Sequence, residues 1–263
     1  MTGPLPDGLR VDVADGMATL WLDRPEKRNA VTYAMWRAIA AVCDDLAGDA
    51  AVRLLLVRGT GDHFCAGADI GGLAEVDPAD YRAANVAADE ALASFPKPTI
   101  AVIRGACVGG GTELAVACDL RLADTTARFG VTPARLGIVY PASATARLVG
   151  LVGPSAAKHL LFTAELIDAA RAERIGLVDE VHAPDALADR AGELATLITT
   201  RRSLLTQVAS KEIVDAATRG GLDPEIDGRW QQIVASSPDT VEGLVAFAER
   251  RDPRFTWTPD PEA

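Results

Sequence analysis

The chain has 263 residues and a formal net charge of −11; 49% are hydrophobic, 24% charged and 5% aromatic. This is the make-up of a soluble globular protein with a sizeable core, long enough for one large domain or two modest ones. The acidic balance argues against a broad nucleic-acid-binding face, which needs positive charge.

The opening MTGPLPDGLR lacks a charged segment followed by an apolar run, so no secretory signal is expected. No apolar stretch is long enough to cross a bilayer, and the expected location is cytoplasmic. MATLWLD (17–23) reads as a strand. Asn29 is the expected cap of the helix that follows, with Val31, Met35, Ile39, Val42 and Leu46 on one face at helical spacing. RLLLVRG (53–59) is a short apolar strand, GDHFCAGADIGGL (61–73) a glycine-rich loop, and 78–95 a helix. PKPTIAVIRGACVGGG (96–111) is a turn, a strand and a second glycine-rich loop, which opens a helix; DLRLADTTARFG (119–130) is a strand and a turn. From about 141 onward the chain is mostly helical. Gly153-Pro154-Ser155 starts one helix, Asp168 caps another that stops at Gly176, and 185–200, 203–218 and 238–250 are also helical. The pattern predicts an α/β core followed by a helical part. The tail FTWTPDPEA is polar and is expected to be loosely held.

The four cysteines, Cys43, Cys65, Cys107 and Cys118, form no CxxC pair and sit among apolar residues, as buried free thiols do. The three histidines are scattered without an HExxH pattern, so no metal site is expected. Ser155–Lys158 spells SxxK without its companion motifs and reads as an ordinary helix start.

Both glycine loops follow an apolar strand, and bare backbone there lets N–H groups approach a ligand. Neither is a phosphate cradle. No lysine follows Gly110 or Gly111 as a P-loop requires, and Leu114 stands where a dinucleotide fingerprint needs its third glycine. The second loop leads into a helix, whose first N–H groups point outward with the positive end of its dipole. Paired N–H groups of that kind hold the oxygen of a polarised carbonyl. Glu113, one step into the same helix, is placed to move a proton on the same substrate.

FCAGADI (64–70), GACVGGGTELAVACD (105–119), RFG…LGI (128–138), AERIGLVDEV (172–181) and EGLVAFAERRDPRF (242–255) occur in that order. Together they resemble the crotonase superfamily, the enoyl-CoA hydratase/isomerase family, over about residues 10–256. The resemblance implies a crotonase-like spiral of ββα units over 1–195 and a helical C-terminal region over 196–263 that builds trimers, often paired into hexamers. It implies acyl-coenzyme A thioesters as substrates, with coenzyme A present as part of the substrate and no permanently bound cofactor. The thioester carbonyl is expected between the N–H groups of Ala68 and Gly110, beside Gly109, where its enolate is stabilised. Ala66, Asp69 and Ile70 are expected along the adenine and pantetheine path. Lys27 and Arg28, in RPEKRNA (24–30), are the expected contacts to the coenzyme A phosphates. Glu113 falls on the position of the hydratases' first catalytic glutamate, which holds and activates water.

The match departs at one position. Hydratases carry a second glutamate two residues past the glutamine of an FGQPE segment. Anchoring FGVTPARLGI (129–138) on Phe129-Gly130 and Leu136-Gly137 puts Pro133 in that slot. Proline neither donates nor accepts a proton, so the two-carboxylate arrangement is absent; Asp69, Asp124 and Glu75 are neighbouring acids to weigh instead. A second branch stays open. TPA…LGIVY is similar to methylmalonyl-CoA decarboxylase-like members, in which a tyrosine at the position of Tyr140 helps set a carboxylate for loss of carbon dioxide. Those members carry a histidine where this chain has Ala68. The expected reaction is hydration of an enoyl-CoA with one glutamate; decarboxylation, or acyl-CoA binding with little or no turnover, are the alternatives.

Overall fold

The computed structural model describes residues 4–218, 220–221 and 223–259, without the side chains of 73–75. The side chain of Glu75 therefore lies outside the described residues.

A hairpin begins the fold. β1 (Leu9–Ala14) and β2 (Met17–Leu22) pair antiparallel. Asp15 and Gly16 join them with φ of 51° and 78°. Asp-Gly with both φ positive is the turn that matches the twist of paired strands. β1 eluded the sequence reading because it is a largely exposed edge strand: Leu9 is buried and Val11 packs partly against the core, but Val13 is exposed.

α1 (Tyr33–Gly48) buries Met35, Trp36, Ile39, Val42, Cys43 and Leu46. Thr32, not the expected Asn29, is its cap, with Thr32 Oγ1 accepting from the Met35 N–H at 3.2 Å. Asn29 lies too early in the chain and has a φ of 59°. Its side chain closes the preceding loop instead, donating to the carbonyls of Thr60 and His63 at 2.9 and 2.7 Å. At the other end of α1, buried Lys97 donates to the carbonyls of Leu46 and Asp49 at 3.2 and 2.7 Å. A cation on terminal carbonyls offsets the negative end of the helix dipole.

The units β3 (Leu54–Gly59) with α2 (Pro78–Ala93), and β4 (Thr99–Ile103) and β5 (Ala106–Val108) with α3 (Gly110–Ala117), follow. Then come β6 (Leu120–Asp124), β7 (Arg128–Gly130), α4 (Pro133–Leu136), α5 (Ala142–Thr163), β8 (Ile167–Asp168), α6 (Ala169–Arg174), β9 (Glu180–His182) and α7 (Leu187–Arg201). One sheet runs β1-β2-β3-β4-β6-β9, parallel from β2 onward, and a smaller one runs β5-β7-β8. A parallel sheet must be covered on both faces, and the alternation along β3 shows how. Leu55 and Val57 pack with α1, α2 and α3, whereas Leu54 and Leu56 pack with Leu187, Ala191 and Ala195 of α7. Burying each such leucine contributes about 2 kcal/mol.

α5 breaks at Gly153, with φ 73° and ψ 164°, so a new helical run starts at Pro154 as the sequence suggests. Asp168 caps α6 by accepting from the Arg171 N–H at 2.8 Å. The expected domain boundary at 195/196 falls inside α7, because that helix covers the sheet along its whole length. The packing changes after it, where α8 (Leu204–Thr218), α9 (Pro224–Ser236) and α10 (Asp239–Glu249) gather around Leu204, Val208, Ile226 and Trp230. α9 eluded the sequence reading because its opening is largely charged. Nor is the tail loose up to Trp257. The Thr256 and Trp257 N–H groups donate to Asp239 Oδ1, and Trp257 packs edge-on against Trp230. Residues 260–263 lie outside the described residues.

Candidate active site

The two glycine loops, far apart in sequence, lie side by side. Cys65 joins β5 through Cys65 N–H to the Ala106 carbonyl at 2.8 Å and Val108 N–H to the Cys65 carbonyl at 2.9 Å. On its other side the first loop pairs with Val31, whose N–H donates to the Gly67 carbonyl and whose carbonyl accepts from the Asp69 N–H. The peptides on either side of Ala68 are thus used, and its own N–H has no acceptor among the described residues. The same is true of Gly110, the first residue of α3.

The glycines let these amides converge. Gly67 has a φ of 108°, and a Cβ there would meet the Val108 carbonyl at 2.9 Å. A Cβ on Gly110 would lie 2.9 Å from Cζ2 of Trp36 and 3.5 Å from the Ala68 nitrogen. Trp36 is therefore the floor under the gap between the two amides, and the Tyr81 hydroxyl holds its indole N–H at 2.8 Å. The start of α3 is tied down further by Gly109 N–H to the Gly130 carbonyl at 2.8 Å. The Thr112 hydroxyl lies 2.8 and 2.9 Å from the carbonyls of Cys107 and Gly130. Two rigid, half-buried amides at a helix start are an oxyanion-type arrangement.

Glu113 is 2% exposed, with Oε1 accepting from Asn85 Nδ2 at 2.8 Å. Burial pushes its carboxyl up to about 8; nearby Asp89 pushes the same way, while the Asn85 hydrogen bond and Arg147 oppose. A buried carboxyl tuned this near neutrality is suited to proton transfer.

Pro133 is buried at the start of α4, one residue after Thr132, which lies against Gly109. Beyond it Leu136, Ile138 and Val139 stand exposed as an apolar lip. Tyr140 is buried and donates its hydroxyl proton to the Gly109 carbonyl at 3.0 Å, so it anchors the second loop. Asp69 is committed to Arg24, at 2.7 Å, and to the Gly71 N–H, so its side chain braces the first loop. Arg24 holds that carboxyl below its ordinary value. Ala66 donates its N–H to the Arg28 carbonyl at 2.9 Å, which lays 24–30 along the first loop. Lys27, Arg28 and Ile70 are exposed there. Asp124 is occupied at the far end of β6, accepting from the Thr126 N–H at 2.8 Å. Neither Asp69 nor Asp124 is thus a partner for Glu113.

The acid the sequence reading missed is Asp89, fully buried on α2 one turn after Asn85. Its Oδ2 accepts from Ser143 at 2.8 Å and from Arg147 at 2.7 Å, both on α5. Two polar residues at this spacing in a stripe otherwise made of Ala84, Ala88 and Leu92 are the signal that points to them. Ser143 and Arg147 also border a cavity of about 1340 Å³ between α5, α8 and α10, to which Glu113, Ala68 and Gly110 do not contribute. Burial holds the thiols of Cys43, Cys65 and Cys118 up at about 12, so they are poor nucleophiles.

Residues 12–258 match the family described as Enoyl-CoA hydratase/isomerase. Crotonyl-CoA hydratase of Syntrophomonas wolfei is 34% identical over 260 residues, covering 95% of this chain and 98% of that protein. Among solved structures, an enoyl-CoA hydratase/isomerase family protein from Hyphomonas neptunium has a TM-score of 0.89 at 36% identity, covering 95% of this chain and 98% of that one. An enoyl-CoA hydratase from Bacillus anthracis has a TM-score of 0.87 at 30% identity, covering 95% and 99%. The chain belongs to the enoyl-CoA hydratase/isomerase family and has the crotonase fold, a spiral core with a helical C-terminal region.

Proposed function

We propose that the protein adds water across the double bond of an α,β-unsaturated acyl-CoA, with Glu113 as its one proton-transferring carboxylate. The observation that carries this reading is that two amides without an acceptor among the described residues, Gly110 at the start of the helix that carries buried Glu113 and Ala68 in the loop beside it, lie together. A thioester oxygen between those amides takes up negative charge as the enolate forms, and fixed N–H donors stabilise that charge without reorganising. Glu113 takes a proton from water as its oxygen bonds to the β-carbon, and the α-carbon then takes a proton. Lys27 and Arg28, exposed along the first loop, meet the coenzyme A phosphates, and Ala66 and Ile70 line the path between. No resident cofactor enters these steps. The engagement of the Tyr140 hydroxyl with the Gly109 carbonyl favours hydration over the decarboxylase reading, because that proton is already used.

We assign the protein to a cytoplasmic homotrimer, or a hexamer of paired trimers. Val241, Leu244 and Phe247, exposed on α10, form an apolar stripe that a second copy would cover.

Crotonyl-CoA and loss of the enoyl absorbance test the reaction. Turnover that disappears in Glu113→Gln is the expected result. Absence of turnover in the wild type across short, long and branched enoyl-CoA thioesters overturns it, and release of carbon dioxide from a malonyl-type thioester would establish the decarboxylase instead.

A further inference from the structure

Pro133 leaves Glu113 without a carboxylate across the double bond, yet the site holds a second buried acid. Asp89 sits on α2 one turn beyond Asn85, the residue that donates to Glu113 Oε1. Only one edge of its carboxylate is used. Oδ2 takes the Ser143 hydroxyl and the Arg147 guanidinium, while Oδ1 is buried with no partner among the described residues. A proton on Oδ2 would face two donors, so the neutral form of Asp89 carries its proton on Oδ1 and the charged form leaves that oxygen without a donor. The two donors on Oδ2 favour the charged form of Asp89 and oppose burial, which on balance raises its carboxyl. Arg147 is shared, its other nitrogen lying 3.0 Å from Glu90, so it does not cancel Asp89 completely.

We propose that Asp89 is a positioning residue for Glu113: its buried charge makes one glutamate serve as both base and acid in this site. The inference rests on Glu113 being the proton-transferring group. Asn85 occupies Oε1 with an N–H, which leaves Oε2 as the working oxygen. Oε2 accepts the proton released as the water oxygen bonds to the β-carbon, and the π electrons move onto the thioester oxygen. The enolate then takes that same proton from Oε2 at the α-carbon. Water has been added and the carboxylate restored, with no other donor or acceptor required. Two carboxylates can divide these duties between a strong acid and a weak one; a single carrier must reach both forms near the working pH.

The groups facing Glu113 are Asp89 and Tyr81 from α2, Arg147 from α5, Tyr140 just before it, and Cys65 from the first loop. Burial keeps both phenols and the thiol neutral, with Tyr81 and Cys65 held up at about 12. Asp89 and Arg147 are therefore the charges to alter, and they act with opposite sign.

The test follows the Glu113 carboxyl itself in the full-length protein, by the infrared carbonyl band of its protonated form, identified by its loss in Glu113→Gln. Asp89→Asn is expected to lower the Glu113 midpoint by about one pH unit or more. Arg147→Gln is expected to raise it, and the double substitution to fall between Asp89→Asn and the wild type, because Asp89 outweighs Arg147. The double variant also removes the guanidinium that Asp89→Asn would leave with Glu90 alone, so it reads out even where Asp89→Asn fails to fold. The alkaline rise of kcat/KM on the substrate is expected to move with the midpoint. Equal midpoints in the wild type and both Asp89 variants, or both single substitutions shifting it the same way, overturn the proposal. Midpoints that shift as expected without hydration of any thioester would leave the placement of Asp89 intact and overturn the assigned reaction instead.

Discussion

Two segments near the helix that carries Glu113, here called its α2 and α4 walls, differ in kind. The α2 wall is polar and charged, with Asn85 on the carboxylate and Asp89 behind it in the grip of Ser143 and Arg147. The α4 wall is apolar, built from Pro133 and followed by exposed Leu136, Ile138 and Val139. Related hydratases are expected to place their second proton-carrying group on the wall that here holds proline. On the proposal above, polar control of the site lies instead on α2, in residues that do not carry protons to the substrate but set how one glutamate does.

The largest effect that sharpens this contrast is Glu113→Gln. Turnover of the enoyl-CoA is expected to fall by about 10²-fold or more, with thioester binding retained in equilibrium dialysis. Next is Gly110→Ala, which leaves both walls intact but drives a Cβ onto Trp36 at 2.9 Å. Displacing one oxyanion donor is expected to cost about 10²-fold in kcat, measured as single-turnover rate, with the Glu113 infrared band unmoved.

Stability reports on the polar wall without any substrate. The Glu113 carboxyl lies at about 8 in the folded chain against an ordinary 4.5. The folded state therefore binds the proton more tightly than the unfolded state, and the contribution is complete below 4.5 and lost as pH rises toward about 8. Between pH 5 and pH 8 the wild type is expected to lose more stability than Glu113→Gln, by at least about 1 kcal/mol in urea denaturation. A parallel loss in both proteins would show that Glu113 titrates normally. The smallest effect is on the apolar wall: Pro133→Ala is expected to change kcat by less than about twofold, in steady-state kinetics. A large change there would show that the α4 wall takes part in the chemistry and break the contrast.

The glycine loops, the helix that follows the second one, and Glu113 at its start were legible because they rest on local rules. Glycine appears where backbone must bend or approach closely, and a carboxylate in an apolar run is conspicuous wherever the chain folds. The cap of α1 was misplaced because Asn29 and Thr32 are both good cap residues by type. The choice between them was made by the Thr60 and His63 carbonyls, which claim the Asn29 amide from the loop after β3. Tyr140 as the anchor of Gly109 and Arg24 as the brace of Asp69 were likewise invisible, since each contact joins segments 31 and 45 residues apart.

The sequence by itself determined the family and the α/β spiral with its helical end, and it pointed to the loop amides and to Pro133 as the slot of a second glutamate. Periodicity, turn chemistry and an ordered set of motifs are properties of the chain read in one dimension. Only the tertiary structure decided what stands beside Glu113. Whether a buried aspartate on α2 is neutral or charged, and whether its charge reaches a glutamate on α3, depends on an arginine from α5 and on the exclusion of water among three packed helices. Coulomb energy follows distance and burial, which the order of residues does not state.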